Sequence, residues 1–558
     1  MKRNQITLAI IASLTLMVGC SESNTAESAK TNRTETAVIE PQITPAVVEE
    51  TVVPVMQMEK MGRVALSRAL GDQVFVSMPM PYPREHYQPE NRDSYLDTPS
   101  NGIHLVTTSP LSTFSVDVDT GSYANVRSYL KMGNKPPPDA IREEAFINYF
   151  DYSYPTPVTK VQPFSVSTEL APAPWNESRQ LLRIALKGYD IPVNERKPSN
   201  LVFLVDVSGS MSDPNKLPLL VQSLSLMVKN LTADDKVSLV TYAGQSSVVL
   251  EPTKGDDAQT ILAALKSLQA GGGTYGESGI KLAYQQAQKG FIKEGVNRVI
   301  LATDGDFNVG VTDLDALKNL VEQEREKGIS LTTLGVGRGN YNDGMMEQLA
   351  NIGDGNHAYI DTLHEAQKVL LRQMSGTLQS IAEDVKIQVE FNPDTVKEYR
   401  LIGYQNRQLR DEDFNNDKVD AGEIGAGHTV TALYEITLAG EQGQIDDLRY
   451  QPTKEASAGF GSELAQVKVR YKLPGSEQSK LTTQLVKANA GATEFKTASS
   501  DFQFATAVAA FAQKLKDNHY VDGLAYSQIA DIARDNRGND PYNYRGEFIS
   551  LVEIAQNL

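Results

Sequence analysis

Cysteine is almost absent from this chain. Its 558 residues hold one, Cys20, so no internal disulfide can form. Histidine is sparse too. His86, His104, His357, His364, His428 and His519 are scattered, no two lie at the spacing of a helical zinc pair, and no cysteine cluster accompanies them, which argues against zinc. Basic charge is in deficit: 53 Lys and Arg against 70 Asp and Glu leave a formal net charge of -17. A nucleic-acid partner is therefore not expected, because phosphate binding needs a basic face. Bilayer-length hydrophobic runs are missing as well. The apolar stretch 6–18 is too short to span a membrane as a mature helix.

What is present divides the chain. Its length suggests two to four domains, and 40% apolar with 22% charged residues is ordinary for globular protein. Lys2 and Arg3 precede the apolar stretch, which ends in Leu16-Met17-Val18-Gly19-Cys20. That ending resembles the lipobox of bacterial lipoproteins, with Met17 where leucine is commoner. The resemblance implies that 1–20 is a lipoprotein signal, that Cys20 is lipidated and becomes the N-terminus, and that the protein is a lipid-anchored protein of the cell envelope. Ser21 after the cysteine implies the outer membrane, on its periplasmic face or surface, if the cell is Gram-negative. Residues 21–104 read as a disordered tether, rich in Ser, Thr, Glu, Ala and Pro at its start, where too little apolar surface is available to fold.

The remainder changes character three times. In 105–198, strand-like runs (112–118, 164–170, 180–186) accompany two helical stretches (123–132, 140–150). In 199–372, strands and amphipathic helices alternate, beginning with the continuous apolar run Leu201 to Val205, as a strand buried on both faces requires. This alternation predicts an α/β fold with a doubly wound, mostly parallel sheet. Residues 373–495 are again strand-rich (385–391, 399–403, 429–438, 465–473), and 496–558 read as three helices. The strands before the α/β region are too few to stand alone. They are expected to pair with those after it into one β-sandwich, its core drawn from Val166, Leu182, Ile184, Val389, Val430, Leu433, Val467 and Val469.

Three loops carry the chemistry. The first α/β strand ends in Asp206-Val-Ser208-Gly-Ser210, Gly271-Gly-Gly-Thr274 precedes a helix, and Thr303-Asp304-Gly305 follows a strand. In a doubly wound sheet such loops share the edge at the carboxyl ends of the strands, where ligands bind. Asp206, Ser208, Ser210, Thr274 and Asp304 offer only hard oxygen donors, a set suited to a divalent cation, above all Mg²⁺, with Mn²⁺ or Ca²⁺ as alternatives. The pattern resembles the metal-ion-dependent adhesion site of von Willebrand factor type A domains, matched without departure. The resemblance implies that the two serines and the threonine contact the metal directly or through water, with the aspartates in or near its shell. It also implies that a partner protein completes the coordination with an Asp or Glu carboxylate. The stretches 112–126, 136–154 and 303–309 further resemble the YfbK-type bacterial lipoproteins.

Other signals are weaker. Asp119-Thr-Gly-Ser122 spells an aspartic-protease signature, but no second copy supplies the partner carboxylate, and a helix-capping turn at Asp119 or Thr120 is the better reading. Asp117-x-Asp119 suggests a haloacid-dehalogenase nucleophile, yet Gly121 stands where Thr or Val belongs. Residues 411–417 resemble a calcium loop, but Asn416 replaces its glycine and Gly422 its final glutamate, so a solvated loop is favoured. Gly271 to Gly273 lack the Gly-Lys-Ser/Thr of a phosphate loop. Trp175 reads as core or edge packing. The sequence thus points to an envelope-anchored binding or adhesion module and not an enzyme. A Mg-dependent hydrolase and a structural envelope protein are the rival readings, and no histidine in the three loops offers the base a hydrolase needs. The anchor is tested by Cys20→Ser, which should move the protein from the membrane fraction to the soluble fraction, since one lipidated residue carries the attachment. Retention of a processed Cys20→Ser protein in washed membranes would refute the lipid anchor.

Overall fold

The computed structural model of the chain describes residues 92–558 apart from 275, 306–313, 374–375, 377, 447, 450–459 and 489–490. The signal segment and Cys20 lie outside the described residues. In chain order the first strands are β1 (His104–Leu105), β2 (Leu111–Ser115), β3 (Phe164–Ala173) and β4 (Asn176–Gly188). The α/β region supplies β5 (Ser199–Asp206), β6 (Lys236–Tyr242), β7 (Ser246–Lys254), β8 (Val296–Thr303), β9 (Ser330–Val336) and β10 (His357–Ile360). After it come β11 (Ser380–Phe391), β12 (Val396–Ile402), β13 (Ile424–Gly425), β14 (Thr429–Leu438), β15 (Glu463–Lys472) and β16 (Ser479–Lys487). None of the described helices is long and apolar enough to cross a membrane.

The α/β sheet has the order β10-β9-β8-β5-β6-β7, parallel except for β7, which runs antiparallel at one edge. Every residue of β5 is buried, which explains its unbroken apolar run. Helices Leu217–Val228 and Ala258–Lys266 cover one face, and Gly276–Gly290, Leu314–Glu326 and Asp343–Ile352 cover the other. This is the doubly wound fold that the alternation predicts.

The strands on either side of this region share one sandwich. Its first sheet runs β1-β12-β14-β4-β3, so β4 from before the α/β region lies beside β14 from after it, paired from Thr429↔Lys187 to Ile436↔Gln180. The second sheet runs β13-β11-β15-β16, with β2 also on β11. Leu182, Ile184, Leu186, Val430, Ala432 and Tyr434 of the first sheet meet Ile387, Val389, Val467 and Val469 of the second in one apolar core. Val166 is half-buried against it.

Leu433, expected in that core, faces the other way. It joins Leu181 and Ala185 under a helical layer built from Gly121–Lys131, Glu143–Ile147, Ser500–Leu515, Tyr526–Asp535 and Tyr544–Ala555. Strand side chains alternate between faces, so Leu433 cannot share a face with Val430, Ala432 and Tyr434. Because both faces of β14 are buried, its apolar pattern gave no sign of which was which. Rings interlock in the helical layer: Phe150 lies 5.1 Å from Phe504, and Phe548 lies 5.4 Å from Phe511.

The predicted tether is too long. Residues 92–96 bond to the loop after β9: Arg92 N–H donates to Gly339 at 2.9 Å, Ser94 N–H to Tyr341 at 2.7 Å, and the Asp93 carboxylate accepts from the amides of Gly339 and Tyr341. The predicted helix 140–150 shrinks to a 3₁₀ turn and the short Glu143–Ile147. A helix over Leu363–Gln367, continued as a π turn to Arg372, closes the α/β region. The sandwich core is tested by Ile184→Ala, a fully buried deletion expected to cost about 2–5 kcal/mol in denaturant unfolding. Leu485→Ala on the exposed face of β16 should change stability by less than about 0.5 kcal/mol.

Candidate metal centre

The site begins where β5 stops. Asp206 ends that strand, fully buried, and its side chain organises the turn that follows. One carboxylate oxygen accepts the Ser208 amide at 2.8 Å. The other accepts the Thr303 hydroxyl at 2.9 Å and the Tyr242 hydroxyl at 3.2 Å, so the ends of β8 and β6 are bonded to the end of β5. The Ser208 and Ser210 hydroxyls lie 3.0 Å apart.

The glycine-rich loop is fastened alongside. Gly209 N–H donates to Gly272 at 3.0 Å and Gly271 N–H to Val207 at 2.8 Å, which sets the loop carrying the buried Thr274 against the Asp206 turn. The helix after it approaches β6 closely, for a Cβ at Gly279 would lie 2.8 Å from the Tyr242 Cβ. Asp304 follows β8 and is fully buried. The next residue, Gly305, has φ +92°, and a side chain there would collide with the backbone of Tyr341 and Asn342.

The electrostatics have one feature that the sequence did not announce. Lys216, buried just before helix Leu217–Val228, donates its ammonium to Asp304 at 2.8 Å. Burial, with the Asp304 charge close by, pushes the Asp206 carboxyl up to about 6 against the lowering effect of its hydrogen bonds. Two buried carboxylates with one ammonium and several hydroxyls form a site short of positive charge. All five predicted residues lie on the three loops gathered at this edge, and their hard oxygen donors fit a divalent cation. Thr303, Tyr242 and Lys216 are additional residues of the site. Thr303 was adjacent to the motif, whereas nothing in the spacing of Lys216 pointed to Asp304.

The weaker signals find structural roles. Asp119 accepts the His357 amide at 2.8 Å, and Arg407 bridges Asp117, Asp119 and Glu347 at 3.0, 3.4 and 3.3 Å. Thr120 occupies the N-cap of helix Gly121–Lys131, but its side chain makes no capping bond, so neither residue caps as expected. A Cβ at Gly121 would lie 2.8 Å from the His357 ring, which requires glycine in the Asp-Thr-Gly signature. The calcium-like loop is held by cations: Lys386 donates to the Asn416 carbonyl at 2.6 Å and Lys472 to that of Asp417 at 2.7 Å. Trp175 packs in the core beneath the helical layer, its indole N–H 3.4 Å from Glu435.

Comparison with known proteins agrees with this architecture. A family model for the von Willebrand factor type A domain matches residues 200–373, one described as von Willebrand factor matches 89–183, and one for the C-terminal part of the uncharacterized protein YfbK matches 376–558. The uncharacterized protein YfbK of Escherichia coli K12 is 49% identical over 471 residues, covering 83% of this chain and 81% of that protein. The human inter-alpha-trypsin inhibitor heavy chain H3 is 24% identical over 265 residues, 43% of this chain and 29% of that one. Among solved structures, a von Willebrand factor type A protein from Catenulispora acidiphila covers 70% of this chain and 89% of its own at 15% identity, with a TM-score of 0.38.

The Lys216–Asp304 pair makes a measurable statement. Lys216→Met should destabilise chelator-treated protein by about 3 kcal/mol, because a buried carboxylate loses its cation. Excess Mg²⁺ should recover part of that loss. Equal stability of the variant and the parent in chelator would show that the pair does not hold the loops.

Proposed function

The chain belongs to the YfbK family of proteins built around a von Willebrand factor type A domain, and we propose that it is an envelope-anchored binding module that recognises a protein partner through a divalent cation. The observation that carries this reading is the gathering of oxygen-only donors around Asp206, with Ser208, Ser210 and Thr303 bonded to one another or to it. Asp206, Ser208, Ser210, Thr274 and Asp304 would hold the ion, Mg²⁺ being the best match to hard, neutral-rich oxygen donors. A cation there supplies Lewis acidity and an attachment point for an external carboxylate from an Asp or Glu of the partner.

The chain's own residues do the positioning. The Ser208 amide and the Thr303 and Tyr242 hydroxyls fix both oxygens of Asp206. The backbone bonds from Gly209 and Gly271 fix the Thr274 loop. Lys216 balances Asp304 and sets how much negative charge the edge presents. A hydrolase would need a general base poised at the ion. Two titratable groups that bond to the Asp206 and Asp304 carboxylates are Tyr242, which burial makes a still weaker acid, and Lys216. Neither suits that role at neutral pH. The lipid anchor at Cys20 would hold the module at the membrane.

Calorimetry with Mg²⁺ or Mn²⁺ tests the site: Asp206→Ala should abolish saturable binding while circular dichroism shows the sheet intact. Undiminished binding would remove the site assignment. Affinity capture then tests the function. A prey protein retained in Mg²⁺, lost in chelator and lost with Asp206→Ala is the expected result. Metal-dependent turnover of phosphoester or peptide substrates that Asp206→Ala abolishes would replace binding with catalysis.

A further inference from the structure

A second site lies where the α/β region, the sandwich and the C-terminal helices meet. A cavity of about 400 Å³ opens there, the size of small-molecule sites. Its cations set it apart. Lys368, 2% exposed, donates its ammonium to the Tyr149 carbonyl at 2.7 Å and sits 3.2 Å from that ring's centre. Arg372 lies 3.3 Å over the Tyr542 ring and donates to the Tyr544 hydroxyl. Lys187, at the end of β4, donates to the Gly427 carbonyl at 2.7 Å.

Among the described residues no carboxylate lies within 4.0 Å of any of these three. Elsewhere in the fold Arg127, Arg142, Arg179, Arg407 and Lys216 are buried or nearly so, and each sits on a carboxylate. In a chain of net charge -17, three cations without acidic partners converge on one cavity. Lys368 is the buried charge of the three, with Lys187 half-buried and Arg372 exposed at the mouth. Desolvating Lys368 without a counterion is costly, so its position calls for an anion that the other two can reach.

Two independent features point the same way. The Nδ1 of His428, which lines the cavity, is buried with no hydrogen-bond partner. Burial keeps that imidazole neutral, its pKa pushed down to about 4, so Nδ1 can carry the ring's one proton and donate it to an oxygen. Thr120 also lines the cavity, and it is the N-cap of helix Gly121–Lys131 with no side-chain capping bond, so the positive end of an 11-residue helix lies at this wall. Three carboxylates oppose an anion: Glu365, buried and already bonded to Arg127 and the Tyr149 hydroxyl, and Asp151 and Asp190 on the cavity wall. The two aspartates are exposed at the rim, where water screens them, and they disfavour a long polyanion.

We propose that this cavity binds a small organic oxyanion, a carboxylate or a phosphate monoester, held by Lys368, Arg372 and Lys187. Arg372 offers a planar fork for two oxygens, and Lys368 a buried point charge. Burial, with the Arg127 and Arg372 charges nearby, lowers the Lys368 ammonium to about 8 against the opposing charges of Glu365 and Asp151, and a bound anion would raise it again. The site is separate from the Asp206 edge and needs no metal.

The test uses the full chain in chelator, so that failure of the metal reading leaves it untouched. Inorganic phosphate and succinate are titrated by calorimetry, with thermal unfolding in parallel. One saturable site for at least one probe, with a raised Tm, is expected, and the stronger probe names the oxyanion. Arg372→Gln and Lys187→Gln should each weaken binding tenfold or more without lowering the Tm of the anion-free protein. Lys254→Gln, on the exposed surface, should leave it unchanged. Lys368→Met should abolish binding, and the two glutamine variants keep the test decisive if that buried change impairs folding. Absence of saturable binding for both probes, or equal binding by Arg372→Gln, Lys187→Gln and Lys254→Gln, would overturn the proposal.

Discussion

The pairing of β4 with β14 is the constraint on which the rest of the fold depends. The two strands come from opposite sides of the α/β region, and their ladder runs from Lys187–Thr429 to Gln180–Ile436. Closing so long a loop costs entropy, but that cost grows only slowly with length. It is offset by two buried faces: Leu182, Ile184 and Leu186 against the second sheet, and Leu181 and Ala185 against the helices. Once the ladder forms, β5 must leave and β11 must return at the same place. The α/β region thereby leaves the first sheet after β4 and returns into the second at β11, so both its ends are held by one sandwich.

That geometry separates two kinds of surface. β5 departs from the sandwich at Ser199 and reaches Asp206 at its far end, about 23 Å away at a rise of about 3.3 Å per residue. The oxygen-donor loops thus sit at the opposite end of β5 from its junction with the sandwich. The cationic cavity lies at the joint itself, lined by Lys187 from the sandwich and by Lys368 and Arg372 from the closing helix. The N-terminal stretch belongs to the outer edge: Asp93 and Ser94 bond to the loop at 339–343, against which Gly305 is packed.

Much of this was legible in the sequence where physics writes a local pattern. The run of β5, the alternation that follows it and the five oxygen donors all depend on neighbours in the chain. The two-sided burial of β14 left the direction of Leu433 unreadable. Strands β7 and β16 were missed because edge strands bury little: β16 reads Ser-Lys-Leu-Thr-Thr-Gln-Leu-Val-Lys, mostly exposed. Lys216 on Asp304, and the cations of the cavity, are juxtapositions made by the fold, and no spacing along the chain encodes them.

Buried charge shows how such juxtapositions are enforced. Arg127 of the first helix is 1% exposed and bonds to Asp361 and Glu365 of the α/β region and to Glu547 of the last helix, with the Tyr149 hydroxyl at 2.8 Å. Arg407 from the loop after β12 joins Asp117 and Asp119 to Glu347, and Arg142 also reaches Glu347 at 3.2 Å. Pairs of this kind add little net stability over apolar packing, because desolvation consumes most of the Coulomb gain. Their effect is on the alternatives. A displacement of the last helix, or of the 119–121 turn from His357, would strand a charge in the interior at a cost of several kcal/mol. The joint therefore tolerates few arrangements, and the acidic majority of the chain supplies a partner for each of these arginines. Lys368, 2% exposed with no carboxylate within 4.0 Å among the described residues, carries the same desolvation cost without such a partner, and the proposed oxyanion would do for it what Asp361 and Glu365 do for Arg127.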